Sequence, residues 1–168
     1  MGRRGWFRWV AAAVLLAGLL AGWFYYRGRE ARRIRRDLKE LSRLVSKPAG
    51  AGPLVLAVQA GRASEYFTET CRIDFGDPVP RIVGRSLLAS QILIAQGLVE
   101  QVAVEALDVA VEVDPAGDRA VSRLTVLLTF REPGAAEVGR EAREVELDWI
   151  KSAGRWRIET LRLTEILR

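Results

Sequence analysis

Val145-Glu146-Leu147-Asp148-Trp149-Ile150-Lys151-Ser152-Ala153-Gly154-Arg155-Trp156-Arg157-Ile158 alternates, turns and resumes. Val145, Leu147 and Trp149 share one face of an extended chain, while Glu144, Glu146 and Asp148 share the other, the two-residue period of a half-buried strand. Ser152-Ala153-Gly154 is small and permissive, as a tight turn requires. This predicts a strand over Arg140 to Lys151 and a second over Trp156 to Leu167. In the second, the apolar set changes phase between Ile158 and Leu161, which predicts an inserted residue and a bend.

The preceding segments repeat the pattern. Ala120 to Glu132 alternates Leu124, Val126, Leu128 and Phe130 against Arg123, Thr125 and Thr129. Val102 to Val113 changes phase near Ala106, which predicts a bulge, and Pro115-Ala116-Gly117-Asp118 turns between these two strands. Four kinked strands in succession form an antiparallel meander. Upstream, residues recur at three- and four-residue steps: Arg29 to Ser46 (Ile34, Leu38, Leu41, Leu44/Val45), Leu54 to Glu69, and Ser86 to Gln96, closed by Gly97. Lys47-Pro48 stops the first helix. Short strands are expected at Cys71 to Phe75 and Arg81 to Val83, separated by the Gly76-Asp77-Pro78 turn. The predicted class is α+β, a curved antiparallel sheet wrapped around helices into a cone.

At the N-terminus, Trp9 to Tyr26 runs 18 residues without a charge. As a helix it would rise about 27 Å, close to the hydrocarbon thickness of a bilayer. Trp6, Phe7 and Trp9 at one end and Trp23 to Tyr26 at the other suit headgroup depth. The expected organisation is a basic flank over 1–8, a transmembrane helix over 9–26, a basic juxtamembrane helix over 27–47 that doubles as the first helix of the domain, and a folded domain over 48–168. A cleaved secretory signal is the rival reading, since Arg3, Arg4 and Arg8 precede the apolar run. Leu19 and Leu20 interrupt the small residues a cleavage site needs, and the aromatic block suits a retained anchor. Gly18 and Gly22 form a small-xxx-small pair, although such residues are frequent in membrane helices anyway. Arg27, Arg29, Arg32, Arg33, Arg35 and Arg36 follow the span, where they would press on anionic headgroups.

Charge is segregated along the 168 residues. Residues 1–47 hold twelve Lys and Arg against three Asp and Glu, a balance of +9, and the remainder holds fourteen against eighteen, or −4. Basic charge therefore lies beside the apolar run, and the mildly acidic remainder argues against nucleic acid as a partner. Histidine is absent and Cys71 is the single cysteine. No intrachain disulfide can form, no histidine-based triad can exist, and no metal site or cofactor motif is expected.

The order of elements, with Cys71-Arg72-Ile73-Asp74-Phe75 after a helix and the ending Trp149 to Ile158, resembles the nuclear transport factor 2-like superfamily, to which SnoaL-like and ketosteroid-isomerase-like proteins belong. The likeness covers about residues 30 to 168. It implies a cystatin-like α+β barrel with a pocket between the concave sheet and the helices, often dimeric through the sheet's outer face. Membrane-anchored bacterial members commonly hold the domain in the periplasm, at the bacterial inner membrane. A literal count of flanking arginines favours a cytoplasmic domain instead.

Family enzymes use a pocket aspartate or a Tyr/Asp/His set. Here Tyr66, Asp74 and Asp108 are the candidate pocket polar groups, although Tyr66 also reads as a core tyrosine, Asp74 as a turn residue and Asp108 as a bulge residue. The expected role is a membrane-anchored, non-catalytic binding or assembly module, holding a small apolar ligand in its cone or an envelope protein partner on its sheet. The alternative is a pocket enzyme of isomerase or dehydratase type using a buried carboxylate.

Overall fold

The computed structural model describes residues 28–76 and 80–166. The flank 1–8, the span 9–26 and Arg27 lie outside the described residues. Among the described residues no helix is long and apolar enough to cross a membrane.

Helix α1 occupies 28–45. It is followed by α2 (Pro53–Ser64), β1 (Phe67–Asp74), β2 (Ile82–Val83) and α3 (Arg85–Gly97). Four long strands complete the chain: β3 (Gln101–Val113), β4 (Arg119–Arg131), β5 (Gly139–Ser152) and β6 (Arg155–Ile166). One six-stranded sheet runs in the order β2-β1-β6-β5-β4-β3.

The four-stranded meander is as the alternation dictates, but the sheet as a whole is mixed rather than antiparallel. β1 adds parallel to the edge of β6, pairing Phe67 with Ile158 and Ile73 with Leu161. Helix α2 is also shorter than its apolar spacing suggests. It stops at Ser64, and Phe67 to Thr70 are extended, because the Phe67 ring gains more burial facing Ile158 across the sheet than on a helix flank.

Both predicted phase slips are real. β3 slips register between Leu107 and Ala110, where Asp108 adopts φ 51°. β6 carries an extra residue where Asp148 pairs with Thr160 and the next residue, Trp149, pairs with Ile158. Each inserted residue bends its strand and increases the local twist, and so curls the sheet.

The core fills the concave side. Ile34 and Leu38 of α1 pack with Phe67, Ile73, Leu124, Leu147, Trp149 and Ile158. Trp149 donates its indole N–H to the buried Ser122 hydroxyl at 2.8 Å, so its large ring is buried without an orphaned donor. On the opposite face, Glu146 accepts from both Arg123 and Arg162 at 2.8 Å, and Asp148 accepts from Arg162 at 2.9 Å. Arg157 of β6 donates to the Glu65 carbonyl at 3.0 Å.

Two polar fastenings set the helices against the sheet. At one end, Lys47 exchanges backbone hydrogen bonds with Val102, and its ammonium donates to the carbonyls of Gln96 and Val99 at 2.8 and 2.7 Å, capping the C-terminus of α3. At the other end, the carboxylate of Glu30 accepts from Trp156 Nε1 at 2.6 Å and pairs with Lys151 at 2.9 Å, tying α1 to the β5–β6 hairpin. Glu30 is only 4% exposed. It lies one and two helical turns before Ile34 and Leu38, on the face that the core covers.

Candidate functional site: an apolar cone

The inward residues of β4, β5 and β6 face α1 and α3 across a cavity of about 580 Å³. Leu124, Val126, Leu128 and Phe130 form one wall, Val145, Leu147, Leu161 and Leu163 another, and Leu38, Leu41, Val45, Leu88 and Ile92 the helical side. A cavity of this size suits a small organic molecule.

Among the described residues, four polar ones line it: Ser42, Gln96, Glu141 and Arg143. Gln96 is 2% exposed and donates Nε2–H to the Val45 carbonyl at 3.1 Å, yet its Oε1 finds no partner. An unpartnered buried acceptor costs about 1–3 kcal/mol, and this oxygen is packed among protein atoms rather than open to the cavity. Glu141 and Arg143 are two residues apart on β5, point the same way, and are in direct contact as an ion pair.

The sequence candidates sit elsewhere. Tyr66 follows α2 and borders a second, polar cleft with Arg33, Arg62 and Arg157. Burial and the nearby carboxylates of Asp37 and Glu40 push its phenol upward, against the smaller pull of Arg62. Asp74 closes β1, accepting from the Gly76 N–H at 3.0 Å and from Arg81 Nε at 2.6 Å. The Gly76 bond and the Arg81 charge hold its carboxyl below the usual range. Asp108 is the exposed bulge residue of β3. None of the three lines the cone, and the fold does not bring them together.

Arg29, Arg32, Arg33, Arg35 and Arg36 lie exposed on α1, away from the Glu30/Ile34/Leu38 face. Cys71 is 0% exposed, and burial pushes its thiol upward against hydrogen bonds at Gly84 and its own backbone. Among the described residues no group of His, Cys, Asp and Glu could hold a metal ion.

The polar residues of the cone were not singled out from the sequence, although a signal was present. Glu141 and Arg143 extend the inward parity of Val145, Leu147 and Trp149 backwards, and Gln96 continues the Leu88/Ile92 stripe of α3 by one turn.

Fold and cavity together define an α+β cone of the nuclear transport factor 2-like kind. A sequence profile of the SnoaL-like domain matches residues 50–162, and the chain belongs to that family. A candidate scytalone dehydratase from Novosphingobium aromaticivorans superposes with TM-score 0.71 at 15% identity, over 86% of this chain and 89% of that one. A nuclear transport factor 2-like protein with a cystatin-like fold from the same organism gives 0.63 at 16%, over 92% and 86%. A Mycobacterium tuberculosis protein of unknown function gives 0.62 at 25%, over 79% and 69%. The first two likenesses speak for the fold alone. No curated protein matches the sequence.

Proposed function

We propose that the chain is a membrane-tethered, non-catalytic binding module of the bacterial envelope whose cone holds a small apolar ligand. The observation behind this reading is the 580 Å³ cavity with aliphatic and aromatic walls. The tether is the uncharged run over 9–26, continued by the helix over 27–47 into the domain 48–168, with the domain on the periplasmic side of the inner membrane. Support for the tether comes from the length of the run and its aromatic and arginine flanks.

A pocket enzyme of isomerase or dehydratase type would draw on Glu141, the one carboxylate lining the cavity among the described residues. Its contact with Arg143 favours a standing ion pair over a free base, and among the described residues no second acid, tyrosine or histidine lines the cavity beside it.

The experiment purifies the full chain in a non-ionic detergent and identifies organic-extractable molecules by mass spectrometry, beside a Leu128→Trp variant whose indole fills the cone. Recovery of one apolar species from the parent and its loss from the variant is the expected result. Equal recovery from both would remove the cone from the account. Retention of the chain in membrane pellets after an alkaline carbonate wash tests the tether separately.

A further inference from the structure

Beside the first half of α1, four elements bring arginines together. Arg33 and Arg36 come from α1, Arg62 from the last turn of α2, Arg85 from the start of α3, and Arg155 and Arg157 from the β5–β6 hairpin, around a cleft of about 730 Å³. Two carboxylates, Asp37 and Glu65, line the same cleft, so six guanidinium groups face two acids. Some of that charge is already engaged. Arg33 pairs with Glu30 at 3.6 Å, Arg62 with Glu40 at 3.7 Å and Arg85 with Glu69 at 3.5 Å. The guanidinium groups of Arg36 and Arg155 make no hydrogen bond or ion pair among the described residues.

Holding like charges together raises the energy of the folded state unless an anion enters, and a concave site focuses that potential. Guanidinium groups favour planar, bidentate contact with phosphate oxygens, and several of them suit a multiply charged oxyanion better than a single carboxylate. The Glu30 clasp to Lys151 and Trp156 keeps the hairpin arginines against those of α1. Arg33 and Arg36 lie five and eight residues from residue 28, about 8 and 12 Å along the helix axis, so the cleft faces the first half of α1.

We propose that this cleft is an anion site for a phosphoryl group, contributed by a phospholipid headgroup or by a soluble phosphate compound. The site is separate from the apolar cone, and its occupancy does not depend on the cone's ligand.

The test titrates the full chain, in non-ionic detergent at low salt, with inorganic phosphate and separately with dihexanoylphosphatidylglycerol, by calorimetry. Saturable binding of at least one is expected, weakened at least tenfold in Arg36→Gln/Arg155→Gln and little changed in Arg119→Gln/Arg140→Gln, which removes the same charge elsewhere. Tighter binding of the lipid assigns the headgroup as source, and equal or tighter binding of phosphate assigns a soluble compound. Absence of saturable binding by either probe, or equal weakening in both double variants, overturns the proposal. Hydrogen exchange on the unaltered chain needs no variant. Phosphate-dependent protection confined to peptides spanning 33–37, 62–66 and 153–157 supports the site, and protection absent or spread evenly refutes it.

Discussion

Replacing Glu30 with alanine removes one carboxylate and the acceptor of two donors. Trp156 Nε1–H loses its acceptor at 2.6 Å, and the Lys151 ammonium loses its counter-ion at 2.9 Å. The Glu30 side chain is 5% exposed and that of Lys151 18%, so water replaces little of what is lost. A buried N–H without an acceptor costs about 1–3 kcal/mol. Breaking a buried ion pair from one side costs about 3–5 kcal/mol. Lys151 keeps its place 5.5 Å from the Trp156 ring centre, where the ring face still attracts its charge, which puts the expected loss near the lower end, about 3 kcal/mol. Glu30→Gln keeps an acceptor for the indole and should lose about half as much. Urea unfolding of the full chain in non-ionic detergent, followed by tryptophan fluorescence and by circular dichroism, is the assay. With a slope of about 2 kcal/mol per molar, the midpoint for the alanine variant should fall by about 1.5 M. A shift below about 0.5 M would refute the assignment of Glu30 as a buried clasp. So would strict additivity with Trp156→Phe, because contacting partners must couple.

The same group predicts a pH effect. Burial raises the Glu30 carboxyl, but hydrogen bonds from Lys151 and Trp156 and the charges of Lys151 and Arg33 outweigh it, leaving the group lower in the folded state than in the unfolded chain. Its stabilisation is therefore fully present above the ordinary glutamate value of about 4.3 and drains away as pH falls through the lower folded value. Glu30→Gln should flatten the acid limb of a stability profile. Asp37 is the opposite case, since burial holds its carboxyl above the usual range against the pull of Arg36 and Arg33. Its charged form is costly in the folded state at neutral pH, so Asp37→Asn should raise the unfolding midpoint at pH 7 and lose that advantage near pH 3. Ala153 and Gly154 both adopt positive φ, 49° and 76°, in the two-residue turn between Ser152 and Arg155. Such a turn favours asparagine over alanine, and Ala153→Asn should stabilise by about 0.5–1 kcal/mol. Cys71 should resist an impermeant maleimide until the chain unfolds, so membrane sidedness is better read by labelling Ala116→Cys, exposed in the β3–β4 turn, in intact spheroplasts.

The strand meander was legible because each strand is half buried, and a half-buried strand must alternate. Leu124 to Phe130 and Val145 to Trp149 carry their inward faces openly, and the slips near Asp108 and after Ile158 are visible as broken parity. The start of β1 was less legible, because Tyr66-Phe67 fits a helical stripe as well as a strand and only its partner across the sheet decides. In the sequence Glu30 is one of three acids among the basic residues of 1–47. Its position one turn before Ile34 gave the signal, but a carboxylate there is tolerable only because Lys151 and Trp156 arrive from the far end of the chain.

By itself the sequence determined the class of fold, the bends of the sheet and the segregation of charge, since periodicity and composition are local properties. Tertiary structure alone decided that β1 joins β6 in parallel, that the inward residues leave a cone open to a ligand, and that arginines up to 124 positions apart meet in one cleft. These depend on which distant surfaces come into contact, and the burial that contact provides is what decides among local alternatives of nearly equal energy.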